Sequence, residues 1–496
     1  MSEDVQALAK ESTSASGLVS SQGALLFGAF AIAQGLSFGR NAILGHWLAK
    51  GDFGIAATLT LILQLVETLS DLGADRLIIQ ARDGDAPRFV ATQHLALIFR
   101  GVVTALVIFI LAEPAAHFFG VPEASTAFTA VALVPLIKGF QHLDLRRAQR
   151  RFDNRPFAAT EVAPQALALA VTVPALYVFG DYRAVIWISF AQAGAFLAVS
   201  HIVAERPYRL ACDRDALVRL INFGWPIWLS AFPLVAVYQG DRIVVGHLIG
   251  MEALAAYTAA FMMAMVPGVI AAKVGHALML PVFSRARDDR ESFAAHFNSA
   301  CEATVFAASV FLAGFIILGG PVLGLAFGPN YAGYGNLAAW LALMWGIRMI
   351  QAVPGMALMA EGETRPFLVA GFVRAAALIP AFVAALNGFG LEVIAACGVL
   401  GELASLIYVT FRVDRLRAGL GVELAQRALL LAPVAGLALV FAALSVAPGP
   451  IAQVLATILA VALIAGLFIV RLPANDRRAV LRIVGHSFTA PFGARR

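Results

Sequence analysis

The stretch Gln239-Gly-Asp-Arg-Ile-Val-Val-Gly-His-Leu-Ile-Gly-Met-Glu-Ala-Leu-Ala-Ala-Tyr-Thr258 sets an Asp–Arg pair inside an apolar run and then turns sharply. A second stretch, Gly39-Arg-Asn-Ala-Ile-Leu-Gly-His-Trp-Leu-Ala-Lys-Gly-Asp-Phe-Gly54, has the same order: an Arg, a Gly-His step, then an acidic turn opening a new apolar run. The two Gly-His steps, at Gly45 and Gly246, lie 201 residues apart. The echo continues downstream. Ala81-Arg-Asp-Gly-Asp85 corresponds to Ser284-Arg-Ala-Arg-Asp-Asp289, and Asn154-Arg-Pro-Phe157 corresponds to Thr364-Arg-Pro-Phe367 at an offset of 210.

Between these landmarks the chain is apolar. Hydrophobic residues make up 60% and charged residues 14% of the 496 residues, and the mean hydropathy is +0.81. A soluble domain carries about a quarter charged residues, so the composition implies an all-α polytopic membrane protein. The short alternating segments of a closed barrel are absent. Apolar runs of about 20 residues or more predict fourteen helices, at roughly 20–45, 53–79, 93–118, 126–145, 157–179, 184–204, 217–249, 253–284, 296–327, 333–360, 366–388, 391–411, 423–446 and 450–470. The first run follows Glu3, Asp4, Lys10 and Glu11, a poor signal-peptide start, and is expected to remain as a transmembrane helix.

Lys and Arg fix the expected orientation, because basic loops resist translocation. Of the 29 basic residues outside the apolar runs, 27 fall in the tails and alternate loops, and only Lys50 and Arg183 on the other side. This asymmetry predicts an even number of spans with both termini cytoplasmic. Helices one to six echo seven to twelve, and six is even, so the halves share one orientation as a parallel repeat. The expected organisation is a tail (1–17), a lobe of six helices (18–204), a linker (205–216), a second lobe (217–411), two appended helices (412–470) and a basic tail (471–496).

Seven basic residues remain inside apolar runs. Arg76, Arg100 and Arg374 lie near helix ends, where snorkelling explains them. Arg40, Arg242, Lys273 and Arg348 lie deeper, where an unpaired charge costs about 2.5–3.5 kcal/mol. They read either as cations facing an aqueous cleft or as members of structural ion pairs. Glu67, Asp71 and Asp75, spaced by four, would align on one face of helix two. With Asp241, Glu302 and the further intramembrane carboxylates Glu161 and Glu402 they are candidates for exchanging a proton or Na⁺, or for neutralising the arginines. Pro267-Gly268 and Pro354-Gly355 mark candidate hinges, since proline removes a backbone hydrogen bond. Cys212, Cys301 and Cys397 have no metal-ligand spacing, and no nucleotide-binding or metal motif is present. The sequence thus implies no cofactor beyond an ion gradient, no metal and no nucleic acid.

At Gln34-Gly-Leu-Ser-Phe-Gly-Arg-Asn-Ala-Ile-Leu44 leading to Lys50-Gly-Asp-Phe-Gly54, with Ser70-Asp-Leu-Gly73, and again at Gly240-Asp-Arg-Ile-Val-Val-Gly246 with Met251-Glu-Ala-Leu-Ala-Ala-Tyr257, the chain resembles bacterial polysaccharide transporters. These are the O-antigen-type lipid-linked oligosaccharide flippases of the multidrug/oligosaccharidyl-lipid/polysaccharide exporter superfamily. The resemblance implies two six-helix lobes about a central cleft that opens alternately to each side of the inner membrane. It implies a cargo of oligosaccharide on polyprenyl pyrophosphate, moved by a monomer that works with membrane lipids, a polysaccharide polymerase and other assembly proteins. Arg40 and Arg242 stand at the matching motif positions. His46 and His247 stand where the family often has Lys or Arg. Alternative readings are a cation-coupled multidrug exporter or peptidoglycan-precursor flippase of the same superfamily and, in another class, a membrane saccharide polymerase or ligase.

Overall fold

A computed structural model describes residues 2–429, with side chains from Gln22 onward except Ala277. The helices expected at 423–446 and 450–470 fall wholly or almost wholly outside the described residues. Among the described residues the secondary structure is helical throughout. Eleven helices are long and apolar enough to cross a bilayer, or twelve if one bent pair counts as a span. That is the number expected for the two sixfold halves.

The elements follow the apolar runs. The first six expected spans become α1 (Ser2–Trp47), α2 (Lys50–Leu69) with α3 (Ala74–Gln80), α4 (Pro87–Phe118), α5 (Ser125–Val131) with α6 (Leu133–Gly139) and α7 (Asp144–Arg150), α8 (Arg155–Phe179) and α9 (Arg183–Ile202). The next six become α10 (Arg214–Leu248), α11 (Met251–Arg285), α12 (Arg290–Phe327), α13 (Gly335–Ala360), α14 (Arg365–Ala375) with α15 (Leu378–Leu386), and α16 (Leu391–Leu416), followed by α17 (Leu420–Ala428). Large apolar side chains lie exposed along these helices, among them Phe99, Leu106, Phe109 and Ile110 on α4 and Trp225, Trp228, Leu229 and Phe232 on α10. In water such faces would drive aggregation. In a bilayer they meet lipid, so the protein is membrane-embedded.

Three expected helices are broken. The second span stops at Leu69 and restarts at Ala74, because Gly73 adopts φ 69°, a left-handed conformation that glycine takes without a Cβ clash. Its N–H donates to Asp71 Oδ1 at 2.9 Å, which closes the turn. The expectation of one continuous helix carrying Glu67, Asp71 and Asp75 is therefore corrected: Glu67 ends one helix, Asp71 sits in the turn and Asp75 begins the next. The fourth span bends by 52° between Gly139 and Asp144, and the eleventh breaks between Ala375 and Leu378.

The chain forms two compact units. The first comprises the described residues up to Val266, with Leu323–Tyr331 and Gly371–Gly401; the second comprises Pro267–Val322, Ala332–Ala370 and the described residues from Glu402. The linker expected at 205–216 lies inside the first unit. In that unit α1 packs on α8 and α8 on α9, while α10 packs on α2, α4 and α15. Helices α4 and α6 cross closely at Gly101 and Gly139, where a Cβ on Gly101 would stand 2.8 Å from the Pro135 carbonyl oxygen and 3.0 Å from Gly139 Cα. Small residues permit such contact where lipid supplies no hydrophobic drive between helices.

Alternate loops of the first unit are tied together at one end. Arg150 donates to the carbonyls of Ile78, Ala81 and Arg82. Arg206 donates to the Asp85 carbonyl at 2.7 Å, Arg147 bridges Asp144 and Glu205, and Arg219 grips Asp83 with two bonds of 3.0 and 2.8 Å. The Arg219 hydrogen bonds hold the Asp83 carboxyl below its usual range. In the second unit Arg287 and Arg417 converge on Glu361, and Arg412 meets Glu363 at 3.7 Å. Each unit therefore ties basic loop residues to carboxylates and backbone carbonyls.

The second unit centres on α13, whose most apolar window is 89% buried. Two polar rungs join α13 to α16 at the same separation of 54 residues. Arg348 Nε donates to Glu402 at 2.9 Å, and Gln351 Nε2 donates to Ser405 Oγ at 2.6 Å. The Arg348 guanidinium also lies over the Trp345 ring, 4.4 Å from its centre. Side-chain exposure of only 10% for Arg348 and 2% for Glu402 makes this a buried pair. A buried pair is not automatically stabilising, but losing one partner strands a charge.

Two outcomes test this packing. Gly101→Val is expected to lower the melting temperature of the detergent-purified protein, with overpacking costing about 1–3 kcal/mol; an unchanged melting temperature contradicts the close crossing. Glu402→Leu alone is expected to cost about 3–5 kcal/mol, and the Arg348→Met/Glu402→Leu double variant to regain most of it. Equal losses in the single and double variants would show that the rung carries no coupled charge.

Candidate functional site

A polar cavity of about 320 Å³ lies within the first unit. The helices deliver its lining by periodicity. On α1, Gln34, Ser37 and Asn41 share a face with Arg40 beside them; on α2, Thr60, Gln64 and Glu67 recur at intervals of four and three residues. Lys138 comes from α6, Gln165 from α8, Ser189 and Gln192 from α9, Arg242 from α10 and Thr258 from α11. In a membrane helix every one of these polar groups needs a partner or water.

The two motif arginines both reach this cavity, and both do so without a carboxylate salt bridge among the described residues. Arg40 Nη1 donates to Gln192 Oε1 at 2.8 Å and to Gln165 Oε1 at 3.4 Å, while Nη2 stands 3.5 Å from Ser37 Oγ. The positive charge is thereby oriented by neutral groups and not cancelled. Arg242 is 8% exposed. Its Nη2 donates to the Tyr238 carbonyl at 2.8 Å, and its guanidinium lies 4.8 Å from the centre of the Phe261 ring. Arg242 Nε and Thr258 Oγ1, both buried in the cavity wall, have no hydrogen-bond partner among the described residues. Asp241, next in sequence to Arg242, accepts from Tyr257 Oη at 2.7 Å and from the Arg242 backbone N–H at 2.8 Å.

The acidic residues meet separate cations. Glu67 pairs with Lys138 at 2.7 Å, both side chains about one-third exposed and both on the cavity wall. Asp71 stands 3.5 Å from Arg76 and 3.5 Å from Arg100, and Asp75 pairs with Arg146 at 2.7 Å. The three carboxylates that the sequence places at one spacing thus reach α6, α4 and α7 through the broken second span.

The remaining sequence candidates fall in the second unit, outside the lining of this cavity. Arg348 is held by Glu402, Glu302 pairs with Arg427 at 3.1 Å, and Lys273 lies exposed on α11. Both Pro-Gly steps sit inside continuous helices, Pro267-Gly268 in α11 and Pro354-Gly355 in α13. Gly268 lets α11 approach Trp345: a Cβ there would stand 2.7 Å from the indole ring. His247 lies in the last turn of α10, where its ring stacks on Phe118 with centres 3.8 Å apart.

Reasoning from charge overlooks Gln165, Gln192 and Gln64. Neutral amides leave no trace in a charge pattern, and only their polarity within apolar runs could have drawn notice. Gln239 Nε2 donates to Gln64 Oε1 at 2.9 Å, which ties α10 to α2 beside the cavity.

Comparison with known proteins agrees with this architecture. The succinoglycan biosynthesis transport protein ExoT of Rhizobium meliloti (strain 1021) is 25% identical over 321 residues, spanning 63% of this chain and 63% of ExoT. The lipopolysaccharide biosynthesis protein WzxC of Escherichia coli (strain K12) is 20% identical over 363 residues, spanning 70% of this chain and 71% of WzxC. In fold, the chain is similar to lipid II flippase MurJ in an inward closed conformation, with a TM-score of 0.69 at 13% identity over 89% of this chain and 98% of MurJ. It is also similar to an inward-facing multidrug resistance MATE family transporter of the MOP superfamily, with a TM-score of 0.60 at 15% identity over 78% of this chain and 96% of the transporter. Residues 43–335, more than half the chain and including both Gly-His steps, match the family described as polysaccharide biosynthesis protein, and the chain belongs to that family.

Proposed function

We propose that this protein is a flippase, a transporter and not an enzyme, that carries a polyprenyl-pyrophosphate-linked oligosaccharide across the bacterial inner membrane by alternating access. The observation that carries the reading is the pair Arg40 and Arg242, two cavity arginines whose charges no carboxylate bridges among the described residues. A pyrophosphate is multiply negative and cannot cross hydrocarbon unaided. Cations lining a polar cavity offset that cost, while water and neutral amides keep the attraction weak enough for release. Membership of a polysaccharide biosynthesis family and the name of ExoT, a transport protein for succinoglycan biosynthesis, support a saccharide cargo for surface polysaccharide assembly.

The orientation that fits the basic loops has both termini in the cytoplasm, with repeats at 18–204 and 217–411 acting as the moving lobes. A monomer suffices for the cycle, and a polysaccharide polymerase and other assembly proteins are its expected partners. A proton or sodium gradient is the proposed energy source. Among Glu67, Asp71, Asp75, Asp241 and Glu302, the carboxylate best placed for coupling is Glu67, because it alone of these five lines the cavity. Lys273 and Arg348 carry less of the proposal, since neither lines that cavity.

Replacing Arg40 or Arg242 by Ala is expected to reduce surface polysaccharide by about tenfold or more, the equivalent of about 1.4 kcal/mol, at normal protein abundance. Lipid-linked saccharide should build up in the inner leaflet. Undiminished export at normal abundance removes that arginine from the site. For coupling, Glu67→Gln is expected to make reconstituted transport indifferent to an imposed pH or Na⁺ gradient. Gradient dependence equal to that of the unsubstituted protein rules Glu67 out.

A further inference from the structure

We infer that Gln165 and Gln192 are recognition residues, which with Arg40 form a cradle of N–H donors for an oxyanion of the cargo. This rests on the flippase reading and assigns it a binding subsite. A guanidinium only donates hydrogen bonds, so the contacts at 2.8 and 3.4 Å fix both amides with their oxygens toward Arg40. That contact decides the amide orientation, which is otherwise ambiguous between oxygen and nitrogen. Each amide then turns its NH₂ group away from Arg40, and neither Nε2 has a hydrogen-bond acceptor among the described residues.

The wall formed by α1, α8 and α9 therefore brings Arg40 and two amides to one cavity, each amide with an oxygen lone pair engaged by Arg40 and an NH₂ group left to donate. Such a surface favours a group that only accepts. A phosphate or carboxylate fits it, and charge-assisted bonds to a guanidinium strengthen the fit. A sugar hydroxyl, which also donates, would have to share an amide oxygen with Arg40 or turn to a hydroxyl such as Ser37 or Ser189. The two glutamines do a second thing: they hold Arg40 in place without neutralising it. A glutamate at either position would hold the guanidinium as firmly but supply the anion itself, and the subsite would be filled by the protein.

That contrast gives the test. Gln192→Glu and, separately, Gln165→Glu keep the shape of the side chain and add one negative charge beside Arg40. Binding is measured on the full-length protein in lipid nanodiscs, with undecaprenyl pyrophosphate and with an oligogalacturonate as probes. Undecaprenol and an uncharged oligoglucoside are the controls. The cradle predicts that the unsubstituted protein prefers at least one charged probe to its control. Either glutamate variant should weaken that preference by about tenfold or more, with a melting temperature equal to or above that of the unsubstituted protein. Loss confined to the pyrophosphate lipid places the lipid head at the cradle, and loss confined to the oligogalacturonate places an acidic sugar there. If no oxyanion of the cargo sits at Arg40, the glutamate variants fold with unchanged or higher stability and bind the charged probe as before, which overturns the cradle and leaves the flippase reading to Arg242. A Gln165→Met/Gln192→Met variant, which removes both NH₂ donors and adds no charge, should also weaken the preference. An unchanged preference there shows that the glutamines only brace Arg40 and likewise overturns the cradle. If the unsubstituted protein prefers neither charged probe, both fall.

Discussion

An arginine inside a membrane protein must be solvated by something, and the molecule uses two solutions to that constraint. Arg348 is buried against Glu402 and covered by Trp345, so its charge is spent on joining α13 to α16. Arg40 is held by two glutamine oxygens and a serine, and Arg242 by a backbone carbonyl and an aromatic face. The first arrangement produces a neutral, closed contact. The second leaves positive charge available at a polar cavity. The distinction between scaffold and site in this protein follows from which kind of partner each guanidinium has.

The same economy of charge organises the ends of the helices. Arginines at one end of each unit clamp the loops to one another through carboxylates and backbone carbonyls. These bonds satisfy the orphan carbonyls and carboxylates where helices stop, and they gather the positive charge that resists translocation. The breaks at Ser70–Gly73 and Phe140–Leu143 lie among these clamps. They spread Glu67, Asp71 and Asp75 over three different partners, so the acidic stripe is a set of joints between elements as much as a candidate coupling site.

Much of the architecture was legible because apolar length and loop charge report directly on spans and their alternation. Arg40 and Arg242, which the sequence sets beside the two Gly-His steps, both line one cavity. What escaped the sequence was whatever depends on a partner distant in the chain. Glu402 stood out as an intramembrane carboxylate, but nothing in the sequence paired it with Arg348, and the four-residue spacing of the acids gave no warning that Gly73 would adopt a left-handed turn. The Pro-Gly steps looked like breaks, yet α11 and α13 run through them. Gln165 and Gln192 went unnoticed because an amide gains its meaning only from what it faces, here an arginine 125 and 152 residues away.

As proposed, the protein itself moves a lipid-linked saccharide from one leaflet to the other. The most direct measurement is transfer in sealed proteoliposomes that contain the purified protein and a fluorescent polyprenyl-pyrophosphate oligosaccharide, followed by quenching from outside. A flippase gives transfer that scales with protein copies per vesicle and is suppressed when excess unlabelled lipid-linked saccharide competes. Transfer no faster than in protein-free vesicles, from protein that remains folded and correctly inserted, would contradict the flippase reading.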